Sequence, residues 1–161
     1  MPSRCQSAVL AVIVAATLTP SAAVGQNAPA PQPFRPGLGD LMTMLVQPRH
    51  LKVGLAGMER NWDYAGHAVH ELEESLEKVA KTVPKWRDMD IAGLIEGSTK
   101  APIEALEEAV KAKNIARFNE AYTQLTAACN ACHQSTKVGM IVIQAPKSSP
   151  FANQDFRPTK P

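Results

Sequence analysis

The residues with the most specific chemistry in this chain are Cys129-Asn130-Ala131-Cys132-His133. Two thiols three positions apart, with an imidazole directly after the second, match the attachment signature of a c-type haem. Each residue type has a reason to be there. The thiols add across the two porphyrin vinyl groups as thioethers, at a spacing that matches the vinyls, and the imidazole reaches the iron as proximal ligand. Other readings of CxxC ask for features the sequence lacks. A zinc site needs two further ligands at suitable spacing, and Cys5 is the only other cysteine. A thioredoxin-like dithiol needs a strand-to-helix junction, and a bare structural disulfide leaves His133 without a role. The motif therefore points to one covalent haem c, with Cys129 and Cys132 as attachment points and His133 on the iron.

The rest of the chain must position these groups. It has 161 residues, 45% of them hydrophobic, only 5% aromatic and 20% charged, with a formal net charge of +2. That length suits one domain, and the aliphatic, Ala- and Leu-rich balance suits helices better than sheet. The charge is too small to argue for a nucleic-acid partner or a membrane surface. Arg4, the apolar run Ala8 to Leu18 and the small residues Ser21-Ala22-Ala23-Val24-Gly25 read as a secretory signal peptide over 1–25. The run is too short to anchor stably in a bilayer. Export to the periplasm is expected, with Cys5 leaving alongside the signal. Residues 26–37 are Pro-rich and read as an extended leader.

Four helices are expected over 38–137. The first runs from Leu38 to Gly57, with Leu38, Leu41, Leu45 and Ala56 on one side; Pro48 inside it should kink it or break its start away. In the second, Asn61 caps a stripe of Trp62, Ala65, Val69, Leu72, Leu76, Val79 and Val83 at steps of three and four. Pro84 to Lys100 reads as a long connection with a short helix at Asp90 to Glu96. The third helix is expected to start at Pro102, as a proline in the first helical position, with Ile103, Leu106 and Val110 as its stripe. Asn114 caps the fourth, whose stripe is Ile115, Phe118, Tyr122, Leu125, Cys129 and Cys132. Both thiols thus belong to a core stripe, and the haem is expected between helices at one end of the domain. Residues 138–161 read as an irregular tail, with Ile141, Ile143, Phe151 and Phe156 packing along the domain.

Four amphipathic helices with Cys129-Asn130-Ala131-Cys132-His133 near the end of the last resemble the cytochrome c′ family. The resemblance covers Leu38 to Lys137 and is also carried by Leu41-Met42 on the first helix. It implies an all-α, antiparallel four-helix bundle with the haem inserted at one end. It also implies two kinds of member, five-coordinate with an apolar residue over the iron, or low-spin with a methionine there. Dimers through the first helix are common in the family, so a homodimer is within expectation.

Bundle geometry narrows the distal ligand. The last helix lies beside the first, so the residue facing His133 should be near the start of helix one, and Met42 is about 6 Å along it. Met44 lies about 200° further round and cannot face the same point. His50 is about 12 Å further down and projects away from the apolar arc; His67 and His70 lie off the stripe of helix two. Arg49, on the inner half of helix one, is a candidate partner for a haem propionate, against an ordinary solvated or interhelical role. Nothing else resembles a catalytic constellation. The leading expectation is periplasmic one-electron transfer between redox partner proteins, without enzymatic activity. The alternatives are a five-coordinate haem protein that binds or scavenges nitric oxide or similar gases and, more weakly, a peroxidase-like use of an open iron.

Overall fold

The computed structural model describes residues 33–159. The signal peptide expected over 1–25 and the first part of the leader lie outside the described residues. The described residues form four long helices and a single two-stranded sheet. Each helix packs against the next in sequence, and the first also meets the fourth.

The first helix comprises Leu38–Leu41, a π-helical stretch Met42–Val46, and Gln47–Met58. The Asp40 carboxylate closes its first turn by accepting the Gly37 N–H at 3.0 Å. Pro48 neither stops it nor detaches its start. The helix instead widens just before the proline: the Gln47 N–H donates to the Met42 carbonyl, five residues back, and Pro48 enters at the beginning of the following α-helical segment. A missing N–H is tolerated best there. One extra residue in a turn rotates everything after it by roughly 100°. This rotation corrects two expectations. His50 turns inward and is only 4% exposed, while Arg49 turns toward the second helix and is half-buried.

The second helix, Trp62–Thr82, has its expected stripe, with Ala65, Val69, Leu72, Leu76 and Val79 buried and the Asn61 side chain accepting the Tyr64 N–H. The connection to the third helix is a tight hairpin rather than a long loop. Lys85–Trp86 pairs antiparallel with Met89–Asp90, and Arg87 in the turn takes a left-handed φ of 53°. The third helix then runs unbroken from Ile91 to Lys111, which moves its start from Pro102 back to Ile91. Asp90 is the true cap, its carboxylate accepting the Gly93 N–H at 3.1 Å. Ile91, Ile95, Thr99 and Ile103 recur every four residues, one continuous buried face on which Pro102 has no vote. The Ser98 and Thr99 hydroxyls fold back onto the Leu94 and Ile95 carbonyls in the turn before the proline, a local bonding that accompanies helix bending.

The fourth helix, Ile115–Ser135, is capped by Asn114, whose side chain accepts the Arg117 N–H. Phe118 is its largest fully buried side chain and lies against the bare Cα of Gly57. Close approach at Gly57 and Gly54 lets the first and fourth helices meet around Tyr122. Three helices end with a basic residue in the left-handed conformation, Arg60, Lys113 and Lys137, each succeeded by an N–H that bonds back to the last turn. From Val138 the chain reverses. It pairs with Asn130 through Ile143, passes Phe151 beneath the Lys52 ammonium at 5.0 Å, and buries Phe156 against Tyr64. Asn61 and Tyr64 of the second helix hold this far end by hydrogen bonds to the Phe156 carbonyl and the Gln154 side chain.

Candidate functional site

One apolar cavity collects most of the residues singled out in the sequence. The space between its walls measures about 1100 Å³ with the open solvent at its mouth included. The first helix contributes Leu38, Met42, Val46 and His50; the fourth contributes Cys129, Cys132, His133 and Thr136. Leu76 of the second helix, Trp86 of the hairpin, and Ile91, Ile95 and Thr99 of the third close the far side. Val138, Ile141 and Ile143 of the tail complete it. The motif and Met42 therefore share one space. Met44 does not line it and is 56% exposed, and His67 and His70 are exposed on the second helix.

The stripe periodicity explains the thiols. Cys129 and Cys132 continue the face that buries Phe118, Tyr122 and Leu125, and both are half-buried, unpaired cysteines. Burial pushes the Cys129 thiol up to about 11, with the neighbouring Cys132 adding to the effect, and burial also raises Cys132. Dithiols that exchange disulfides have depressed pKa values, the opposite direction to the one burial imposes here. Among the described residues, no three His, Cys, Asp or Glu side chains are grouped to hold a bare metal ion. His133 lines the same cavity as the thiols. Its Nδ1 donates to the Ile141 carbonyl at 2.7 Å, which leaves Nε2 with a free lone pair.

Arg49 is placed elsewhere. Its guanidinium donates to the Leu45 carbonyl at 3.1 Å and to the Glu71 carboxylate at 3.4 Å, beside Lys52 and Tyr64, and it does not line the cavity. The guanidinium thus takes the interhelical position, with the π-helical stretch turning Arg49 toward the second helix and away from the cavity wall.

The residue missed in the sequence is His50. Its Nε2 lies 3.0 Å from the Thr126 hydroxyl and its Nδ1 lies 3.1 Å from the Tyr122 hydroxyl, with the rings of His50 and Tyr122 stacked at 4.7 Å. Burial lowers the His50 pKa from 6.5 to about 4 and raises that of the Tyr122 phenol. A neutral, doubly hydrogen-bonded imidazole thus forms part of the wall near Cys129. Tyr122 and Thr126 at i and i+4 on the fourth helix were its visible partners in the sequence. Compared with protein-family models, with curated proteins and with solved structures, the chain has no match.

Proposed function

We propose that this chain is an exported c-type cytochrome that carries one covalent haem and passes single electrons between redox partner proteins. In this reading the four helices form an antiparallel bundle of the cytochrome c′ type, with the haem at the end where the fourth helix finishes and the first begins. The observation that carries the reading is convergence: two thiols, an imidazole with a free Nε2, and a methionine thioether line the same apolar cavity.

The donor set fits the group. Cys129 and Cys132 would hold it through thioethers, His133 Nε2 would ligate from the fourth helix, and Met42 sulfur would ligate from the first. When bound, a haem supplies a one-electron couple. The protein's own part is to fix the two ligands, exclude water and tune the couple. Ligation by both Met42 and His133 would leave no open position for a substrate, which favours a carrier over an enzyme. One thioether and one imidazole as ligands would raise the potential relative to two nitrogen ligands. The apolar wall of Leu38, Val46, Leu76 and Ile95 acts in the same direction by disfavouring the more highly charged oxidised state. Among the described residues no helix is long and apolar enough to cross a membrane.

Optical and magnetic spectra of the oxidised and reduced protein test the proposal. A covalent haem with low-spin iron is expected, and Met42→Ala should convert it to high spin. A high-spin reduced protein that takes up carbon monoxide rapidly would sink Met42 ligation and favour the gas-binding alternative. Absence of any haem spectrum from protein exported beside a haem-attachment system would sink the reading altogether.

A further inference from the structure

The attachment signature leaves two positions between its cysteines, and one of them, Asn130, is engaged with the tail. Its Nδ2 donates to the Ile143 carbonyl and its Oδ1 accepts the Ile143 N–H, both at 2.8 Å. A side chain here plays the part of a neighbouring strand. Two residues earlier in the tail, the Ile141 carbonyl accepts from His133 Nδ1. The segment between is a tight reversal. Lys137 is left-handed at φ 61°, the Val138 N–H bonds to the His133 carbonyl at 2.8 Å, and the Ile141 N–H bonds to the Val138 carbonyl at 2.9 Å. Ile141 itself is 51% exposed, with Met140 and Val142 more so. Packing therefore does little to aim its carbonyl. The turn bond before it and the Asn130 pair after it do.

We propose that Asn130 is a positioning residue for His133: by pairing with Ile143 it holds the tail where the Ile141 carbonyl receives the His133 Nδ1 proton. A neutral imidazole carries one proton, so holding it on Nδ1 keeps Nε2 as a lone-pair donor and increases its basicity. Asparagine is the residue suited to this. It presents a donor and an acceptor in peptide-like geometry on one methylene, whereas aspartate lacks the donor and alanine lacks both. The inference rests on the haem reading for its effect on the iron; the hydrogen-bond chain itself does not depend on that reading.

The test compares wild type, Asn130→Ala, Asn130→Asp and Phe156→Ala, each as purified from export. Hydrogen exchange reads the Ile143 N–H, nuclear magnetic resonance reads the His133 Nδ1 proton, and voltammetry reads the midpoint potential. Asn130→Ala should speed exchange at both protons by roughly tenfold or more, as expected for losing two hydrogen bonds. It should also raise the potential, because a less basic His133 supports the oxidised state less well. Asn130→Asp should fall between, since it can still accept the Ile143 N–H. Phe156→Ala, which frees the far end of the tail, should leave both protons protected. Loss of Ile143 protection with His133 Nδ1 and the potential unmoved would overturn the proposal, as would a Phe156→Ala effect equal to that of Asn130→Ala. If the wild type shows no haem, the function proposed above fails, while the two protons still decide whether Asn130 positions His133.

Discussion

Acid should act on this fold through His50. In the folded protein its pKa is about 4, whereas an unfolded chain returns it to 6.5. Between those values the unfolded state binds a proton that the folded state refuses, so stability falls as pH falls through this window and is insensitive to His50 above it. A pKa unit is worth about 1.4 kcal/mol, so the whole interval amounts to about 3 kcal/mol. His50→Phe removes the titration without stranding a donor. The Tyr122 hydroxyl keeps the residue-50 carbonyl at 3.0 Å and the Thr126 hydroxyl keeps the Tyr122 carbonyl at 2.8 Å. Denaturant titrations of both proteins, from about pH 7 to about pH 4, should show wild type losing about 3 kcal/mol more than the variant. Other acid-sensitive groups, such as Asp155 held down at about 2 by Arg157, act in both proteins and cancel. The reasoning has a definite rival. The two hydroxyls can accept from both ring nitrogens and pass their own protons to the two carbonyls, a pattern that satisfies an imidazolium completely. If the stability difference between the proteins stays flat with pH, hydrogen bonding has outweighed burial and His50 is charged in the fold.

Gly57→Ala should destabilise by about 1–3 kcal/mol in the same titrations, because a Cβ there overlaps the edge of the buried Phe118 ring, whereas Gly39→Ala meets nothing and should be neutral or better. Arg49→Ala should leave the midpoint potential unchanged and cost at most about 1 kcal/mol, as its Glu71 partner is partly solvated. A potential shift as large as that of Met42→Ala would put the guanidinium back beside the haem. Cys129→Ala combined with Cys132→Ala should leave no pigment attached after acidified-acetone extraction; colour retained on the polypeptide would refute thioether attachment at these residues.

The second and fourth helices are legible in the sequence because their stripes are long and regular and their asparagine caps stand at the ends. The motif is legible for the same reason, since Cys129 and Cys132 extend a stripe already defined by Phe118, Tyr122 and Leu125. The start of the third helix is not, because Pro102 is a strong local signal for a first helical position. A face of Ile91, Ile95, Thr99 and Ile103 outweighs a single proline when the whole length is buried. His50 and Arg49 exchange sides because a wheel drawn at 100° per residue assumes no inserted residue. Nothing in Met42 to Val46 announces a π-helical stretch except the Pro48 just beyond it. The Asn130–Ile143 pair is invisible in the sequence because it joins a side chain to a backbone across a reversal with no periodicity.

The tail has a consequence in time. Ile141 and Ile143 are part of the cavity wall and Phe156 is docked far back on the second helix, so this side of the cavity closes only when residues 141–156 are seated. Until that segment arrives, the side of the cavity formed by Ile141 and Ile143 stands open and His133 lacks the carbonyl that orients it. A large planar group loaded at Cys129 and Cys132 would enter through that side, and the strap would close behind it. Loading would then have an order of its own: first the socket, then the latch.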